Sequence, residues 1–200
     1  MDLSPPCHSV RLLAKTLDLP LNLINLDLLK KEQMSPEFLK INPQHQIPTL
    51  VDDDLVIGES RAILSYLCEK YDKNDALYPR DPKNKAVINQ RLYFDMGTLY
   101  QRHYYPQILH GKPVPEGTFQ QFEEVLEFLE NQATYVAGES LSIADFAILA
   151  SIKTFKVAAG LDLRYSGSST DSWLRVSPVT TKSAFRDPKN LPHSLPTLRN

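Results

Sequence analysis

The residues best suited to chemistry stand at two predicted helix starts. Ser4 begins the segment Ser-Pro-Pro-Cys at the start of the first helix, and Glu59-Ser60-Arg61 lies at the start of a later helix. Free backbone N–H groups and the positive end of the helix dipole favour a bound anion at both places. A serine hydroxyl can donate a hydrogen bond to such an anion but cannot perform thiol–disulfide exchange. Ser4 can therefore donate a hydrogen bond to a bound anion or serve only as a helix N-cap, and it excludes a redox cysteine at this position.

A predicted β-hairpin precedes the helix that starts near Ser60. Its strands are Thr49–Val51 and Leu55–Ile57, and three aspartates form a three-residue loop between them. Proline cannot donate to a strand ladder, so Ile47-Pro48 is expected at the strand start, where proline also tolerates a cis bond. The second strand leads into the helix at Ser60, which is expected to be its N-cap.

Bulk composition limits the functions that the chain can have. Of its 200 residues, 42% are hydrophobic and 23% are charged, as is typical of a globular protein. A formal net charge of -2, with acids and bases interspersed, argues against nucleic acid or an acidic membrane surface as a partner. No apolar run approaches the roughly 20 residues that span a bilayer, and no signal peptide is expected. The two cysteines, Cys7 and Cys68, form no disulfide framework and favour a cytoplasmic location as buried thiols.

The ordered set of motifs resembles the glutathione-binding domain of the cytosolic glutathione transferases. The resemblance rests on Ile47-Pro48, on Lys40-Ile41-Asn42-Pro43-Gln44-His45 and on Glu59-Ser60-Arg61-Ala62-Ile63. The residues of the last two segments are most similar to those of the insect delta and epsilon classes, and more closely to the delta class. The resemblance extends from about Ser4 to Val157. It implies an α/β thioredoxin-like N-terminal domain, an all-α C-terminal domain and glutathione as co-substrate.

The same resemblance assigns roles to single residues. Ser4 would stabilise the glutathione thiolate, and the backbone of Ile47 would pair with the cysteinyl moiety. The two ends of glutathione would be held by His45 on the glycyl carboxylate and by Glu59, Ser60 and Arg61 on the γ-glutamyl group. From the residues alone, a lone histidine such as His45 is more often a surface or capping residue. Ile47 is equally a core residue, and Arg61 is equally a surface charge.

Three tyrosines follow the long helix predicted for the second domain. In the resembled family, Tyr100, Tyr104 and Tyr105 would line an apolar pocket for the second substrate. An aromatic stripe at this spacing is otherwise plain core. The intervening Gln101-Arg102-His103 segment is shorter than in the family.

Several elements that position these residues have clear sequence signals. Ser35-Pro36 and Asp81-Pro82 each predict a capped helix with proline in its first turn, and Ser142 with Asp145 predicts a capping box at a buried helix. A second helix of the helical domain is predicted over Phe119–Leu129. One-sided burial is predicted for the first helix through Val10, Leu13, Ala14 and Leu17, for the helix Arg61–Tyr71 through Ile63, Leu64, Leu67 and Cys68, and for the helix after Asp81 through Val87, Ile88, Leu92, Tyr93, Met96, Leu99 and Tyr100.

The predicted domain organisation departs from the family pattern at both ends. We expect a thioredoxin-like glutathione-binding domain at 1–71, a linker at 72–81, a helical domain at 82–163 and a divergent, poorly ordered tail at 164–200. Only three residues precede the first helix, so the first strand of the thioredoxin-like sheet is incomplete and an open seam is expected. The last helices of the family are also incomplete, because nothing after about Arg164 matches and four prolines interrupt the tail.

The predicted function is conjugation of reduced glutathione to hydrophobic electrophiles, including dehydrohalogenation, by a cytoplasmic homodimer. Two alternatives remain: a transferase-like binder of glutathione or apolar ligands without turnover, and an inactive variant product. Neither nucleic acid nor a membrane is expected as a partner. No metal is expected, because the aspartates at 52–54 and the histidines at 103 and 110 lack ligand spacing.

Overall fold

A computed structural model describes residues 4–101, 117–130, 134–158 and 196–200. The chain divides into two compact units, Met1–Tyr71 with Val179–Asn200, and Asp72–Pro178. No helix in the described ranges is long and apolar enough to cross a membrane. The predicted pocket residues Tyr104 and Tyr105 and most of the predicted tail lie outside the described residues.

The first unit has the α/β order expected of a thioredoxin-like domain. Its elements are α1 (Pro5–Thr16), β1 (Asn22–Ile24), a single 3₁₀ turn (Glu32–Met34), α2 (Pro36–Ile41), β2 (Thr49–Asp52), β3 (Leu55–Ile57), α3 (Ser60–Tyr71) and β4 (Thr197–Arg199). The predicted Ser35 cap is confirmed, since the Ser35 hydroxyl accepts a hydrogen bond of 3.2 Å from the Phe38 amide.

The expectation of an open seam in the sheet is wrong. The strand order is β1-β4-β2-β3, so β4 lies inside the sheet, parallel to β1 and antiparallel to β2. Thr197–Arg199 thereby occupies the interior position of the sheet where an incomplete first strand was expected. The prediction of a poorly ordered tail is therefore wrong for residues 196–200, because two strands satisfy the backbone groups of β4 and Leu198 is fully buried.

The hairpin is tighter than predicted. Asp52 belongs to β2 and pairs with Leu55, which leaves a two-residue turn of Asp53 and Asp54. The cause is the environment of the Asp52 side chain, which is buried and holds α3, so the residue continues the strand instead of opening the loop. Asp53 takes up the reversal with a left-handed φ of 55°.

The core of the first unit follows the predicted faces of α1 and α3. Those two helices pack against each other, and every predicted inward residue is buried except Leu17, which is partly exposed at the end of α1. Leu50 of β2 and Leu198 of β4 are fully buried in the same unit. A strand from the distant end of the sequence thus contributes to this core.

The described elements of the second unit are all helical. They are α4 (Pro82–Phe94), which continues as a π-helical segment over 95–101, α5 (Thr118–Glu130) and α6 (Ile143–Ala158). The predicted Asp81 cap is confirmed by a 2.9 Å hydrogen bond from the Asn84 amide. The π-helical segment carries Tyr100, and its wider turns were not signalled by the sequence.

The buried face of α4 is narrower than predicted. Ile88, Leu92 and Leu99 are buried, whereas Val87 and Tyr93 are 40% and 68% exposed. Each helical residue turns the side-chain direction by about 100°. The Val87 side chain therefore points about 100° away from the buried side chain of Ile88, and the Tyr93 side chain about 100° away from the buried side chain of Leu92. Met96, also predicted inward, is 36% exposed in the π-helical segment.

The capping box of α6 is present in a modified form. The Asp145 carboxylate accepts from the Ser142 amide at 2.8 Å, as predicted, and from the Val136 amide at 2.9 Å. The Ser142 hydroxyl donates to the same carboxylate at 2.8 Å instead of accepting from a helix amide. Burial raises the pKa of Asp145, although these three hydrogen bonds oppose the rise.

Candidate functional site

Ser4 forms the backbone cap of α1 without using its side chain as a cap. Its carbonyl accepts the first helical hydrogen bond from the His8 amide at 2.9 Å, and its φ of -91° and ψ of 107° are extended. The hydroxyl makes no capping hydrogen bond. Ser4 is therefore the N-cap residue by position, as one of its two predictions states, although its hydroxyl does not bond a helix amide.

The Ser4 hydroxyl instead lies beside a sulfur atom. Burial raises the pKa of the Cys7 thiol, while a hydrogen bond with the Ser4 side chain lowers it. Cys7 is buried and unpaired with any other cysteine, as predicted. The Ser4 hydroxyl therefore stands at a helix start, and a hydroxyl at that place is able to donate a hydrogen bond to a bound anion.

His45 lies on a loop that a buried amide organises. The Asn42 side chain donates to the Gln46 carbonyl at 3.1 Å and to the Thr49 hydroxyl at 2.9 Å, and accepts from the Gln44 amide at 3.0 Å. His45 itself is exposed, has a left-handed φ of 49° and donates its amide to the Asn42 carbonyl. Asn42 therefore fixes the path of the whole loop into β2.

The loop ends at the predicted cis peptide bond between Ile47 and Pro48. Ile47 is partly buried and Pro48 is buried. Thr49, the first residue of β2, donates its hydroxyl to the Gln46 carbonyl at 2.9 Å. The backbone of Ile47 therefore lies between the Gln46 carbonyl, which accepts two hydrogen bonds, and the start of β2 at Thr49.

Helix α3 begins one residue earlier than predicted. The Glu59 carbonyl accepts from the Ile63 amide at 2.9 Å, so Glu59 is the backbone cap and Ser60 is the first residue of α3. Ser60 is only 3% exposed, and its hydroxyl accepts from Nη1 of Arg61 at 2.9 Å. The Ser60 hydroxyl is thereby drawn toward Arg61 and away from the capping position that was predicted for it.

Glu59 is a second strained residue of this region. Its side chain is exposed and its φ of 59° is left-handed. For a residue with a Cβ atom, this conformation costs about 1–2 kcal/mol, and such strain tends to occur at functional sites. Two of the predicted binding residues, His45 and Glu59, therefore share an uncommon backbone conformation.

The two halves of the site meet at Asn42, which sequence reasoning did not assign to the site. A methyl group added to Gly58 would stand 3.7 Å from the Asn42 amide nitrogen. Asn42 thus touches the residue before Glu59 while it bonds the loop that carries His45. The available signal was the position of an asparagine at the end of α2, where its side chain can replace lost backbone hydrogen bonds.

A buried carboxylate joins the hairpin to α3. Asp52 accepts from the Tyr66 hydroxyl at 2.7 Å, the Tyr71 hydroxyl at 2.8 Å and the Lys70 ammonium at 2.9 Å. Burial acts to raise the pKa of Asp52, but these hydrogen bonds and the charge of Lys70 outweigh it and hold the pKa below its ordinary value. The same contacts raise the pKa of Lys70 and, together with burial, that of both tyrosines. This cluster fixes the direction in which α3 leaves β3.

The comparisons with known proteins identify the family. A sequence profile of the glutathione S-transferase N-terminal domain matches residues 1–75. A delta-class glutathione transferase from Nilaparvata lugens is 45% identical, with 90% of this chain and 85% of that chain covered and a TM-score of 0.80. An epsilon-class enzyme from Musca domestica is 37% identical, with 88% and 84% covered and a TM-score of 0.79.

The chain belongs to the glutathione transferase family. A transferase homologue from Drosophila mojavensis, solved with bound glutathione, is 34% identical, with 90% of this chain and 93% of that chain covered and a TM-score of 0.71. Family membership confirms the predicted fold and transferase activity, and it does not favour the alternative of a binder without turnover.

The predicted pocket for the second substrate is only partly described. Tyr100 is partly buried in the π-helical segment of the second unit, and Tyr104 and Tyr105 lie outside the described residues. Within those same described ranges, no group of three or more His, Cys, Asp or Glu side chains is arranged to hold a metal ion. The expectation of no metal stays a prediction.

Proposed function

We propose that this glutathione transferase binds reduced glutathione in the first unit, at residues 1–71 completed by β4, and uses Ser4 to stabilise the thiolate. The observation that carries the proposal is the position of the Ser4 hydroxyl, which stands at the start of α1 and makes no capping hydrogen bond. A thiolate is the nucleophile, so lowering the pKa of the glutathione thiol raises its reactivity at neutral pH.

The size of the expected effect is compatible with one hydroxyl at a helix start. Lowering a thiol pKa from ~8.5 by about two units requires roughly 2.7 kcal/mol. A charge-assisted hydrogen bond contributes ~1.5–3 kcal/mol, and the dipole of α1 contributes ~0.5 kcal/mol or more. The two together reach the required value without a general base.

The remaining contacts divide between the two ends of glutathione. His45 is proposed to bind the glycyl carboxylate, and Ile47 to pair through its backbone with the cysteinyl part. Glu59 is proposed to accept from the γ-glutamyl ammonium, while Ser60 and Arg61 bind its α-carboxylate. The first amides of α3 have no partner within the helix, which supports an anion there.

The second substrate is proposed to be a hydrophobic electrophile, attacked at an activated carbon or losing halide. Tyr100, together with Tyr104 and Tyr105, is proposed to contribute to its pocket. The delta class is proposed from the 45% identity to a delta-class enzyme. A homodimer is proposed because Tyr93 and Met96 leave exposed apolar surface on the second unit. A cytoplasmic location is proposed because both cysteines are free and buried.

The decisive experiment replaces Ser4 by alanine in the full chain. We expect the pKa of enzyme-bound glutathione, measured by thiolate absorbance, to rise by about one to two units. The rate of conjugation at pH 6.5 should fall about 10- to 100-fold, and the Kd for glutathione should change little. Thr16→Val, which removes a hydroxyl at the other end of α1, is the matched control. An unchanged pKa of bound glutathione in Ser4→Ala would refute the role of Ser4. A wild-type chain that neither binds nor conjugates glutathione would refute the proposed function.

A further inference from the structure

The position inside the sheet between β1 and β2 is a slot for an extended segment. β4 is the only strand that pairs with β1 in the described sheet, whereas β2 also pairs with β3. Without β4, β1 would lose its sheet partner and the hairpin would lose its connection to β1. The slot therefore exposes two unpaired strand edges whenever it is empty, and such edges bind extended chains readily.

The hydrogen bonds around β4 are continuous along its length. The Asn22 amide donates to the Pro196 carbonyl at 3.0 Å, the Asn200 amide to the Ile24 carbonyl at 2.9 Å, and the Leu26 amide to the Asn200 carbonyl at 2.7 Å. The Asn200 side-chain amide donates to Asn25 Oδ1 at 3.1 Å. These bonds extend the pairing beyond the three strand residues, so residues 196–200 are held along their whole length.

One buried side chain anchors the segment. Leu198 pairs with Leu23 on one side and Leu50 on the other, and it has no exposed surface. Its neighbours Thr197 and Arg199 are partly exposed. The occupant therefore needs a large apolar residue between two residues that tolerate solvent.

The slot is linked directly to the candidate glutathione site. Arg199 pairs with Thr49, and the Thr49 hydroxyl contacts both the Gln46 carbonyl and the Asn42 amide. Asn42 in turn holds the loop that carries His45. Loss of β4 would release the first residue of β2 and with it the loop and Ile47.

We propose that the C-terminal segment of this chain, residues 196–200, is a docking strand whose occupancy of the slot governs glutathione binding. The proposal rests on the proposed function of the first unit and adds a distant segment on which that function depends. Binding in the slot and binding of glutathione are then coupled, so each strengthens the other. The occupant is the chain's own terminal segment, attached through the residues that precede Pro196.

The first test measures hydrogen exchange in the unmodified full chain. We expect the Asn200 amide to be protected in the free protein and to exchange at least fivefold more slowly with saturating glutathione. Equal exchange with and without glutathione would overturn the coupling, and an unprotected amide would overturn the docking. If the chain fails to bind glutathione at all, the proposed function fails, while protection of Asn200 in the free protein still decides the docking.

The second test uses Leu198→Asp, with Leu29→Asp as the matched control. Leu29 is 91% exposed, so the same change there should leave retention on immobilised glutathione and the melting temperature unchanged. Leu198→Asp should abolish retention, because a carboxylate cannot occupy the buried position. Equal tolerance of the two substitutions would overturn the proposal.

A third measurement separates loss of docking from general unfolding. The full chain carrying Leu198→Asp is mixed with a synthetic peptide of residues 194–200, and glutathione retention is followed as peptide is added. We expect saturable recovery with this peptide and none with a peptide carrying Leu198→Pro, which cannot donate an amide hydrogen. Failure of the first peptide to restore retention, or recovery with both peptides, would overturn the proposal. If a second copy supplies the strand instead, retention by the intact chain would decrease on dilution.

Discussion

Asn42 and Asp52 are the two buried polar residues on which the geometry of the first unit depends. Each is satisfied by at least three hydrogen bonds, Asn42 within the loop to β2 and Asp52 between the hairpin and α3. A buried polar group of this kind is destabilising if one partner is lost. Both residues are therefore sensitive places to test how structure supports the site.

Asn42→Ala should weaken glutathione binding without altering Ser4. The substitution leaves the Gln44 amide without its side-chain acceptor and removes one of the two side-chain donors to the Gln46 carbonyl. The cost is about 1–3 kcal/mol, and the loop that carries His45 is freed. We expect the KM for glutathione to rise about 10-fold while the pKa of the bound thiol stays unchanged. Asn74→Ala, in an exposed turn, should change neither. A shift in the thiol pKa would instead indicate that Asn42 acts on the thiolate.

The Asp52 cluster makes stability depend on acid. The pKa of Asp52 is lowered in the folded state, so its contribution is fully present above the unfolded value of about 3.9 and is lost as pH falls through the folded value. The difference in unfolding free energy between the wild type and Asp52→Asn should therefore be largest near pH 7 and shrink below about pH 4. Denaturation at several pH values, with the exposed Asp54→Asn as control, checks this. A difference independent of pH would contradict it.

At the scale of elements, the cap of α6 has a cost that can be measured. Ser142→Ala removes the hydroxyl that donates to the buried Asp145 carboxylate and should reduce the free energy of unfolding by about 1–3 kcal/mol. Urea denaturation followed by circular dichroism measures the change. Ser140→Ala, at an exposed position two residues earlier, should stay within about 0.5 kcal/mol of the wild type. Equal effects of the two changes would show that the box is not used.

Local sequence signals predicted most of the elements. Prolines after Ser35 and Asp81, the Ser142–Asp145 spacing and the Ile47-Pro48 strand entry each identified a real boundary, because short-range sterics and capping decide such positions. Asp52 was misplaced because its role depends on Lys70 and two tyrosines about 14 to 19 residues away. The narrow face of α4 was missed because a helical period does not state how wide the buried stripe is.

The residues of the candidate site were proposed from motif order, but the connections between them were not predicted. For His45 and Glu59, the left-handed backbone was not expected. Asn42 was missed because its value comes from its contact with Gly58 as well as its own loop. Strand β4 could not be found locally, because a three-residue strand after many prolines has no pattern and gains its structure only from its two partners.

At the scale of the whole molecule, the ligand should act on only part of the protein. A ligand that binds the folded state at 100 times its Kd stabilises that state by about 2.7 kcal/mol. We therefore expect glutathione at that excess to raise the melting temperature of the first unit, seen by calorimetry, and sodium glutamate at equal ionic strength to have no such effect. An unchanged transition in saturating glutathione would contradict binding to the first unit.

The pairing of Asn22 with Thr197 has a consequence for synthesis of the chain. The side chains that join these strands are 175 positions apart, so a ribosome must add those residues before the sheet can close. At roughly 5–20 residues per second, this takes about 9–35 s, during which the β1 edge stays uncovered. Residues 196–200 therefore complete the first unit late, and shielding by a chaperone during that interval should decide how much of the product is recovered folded.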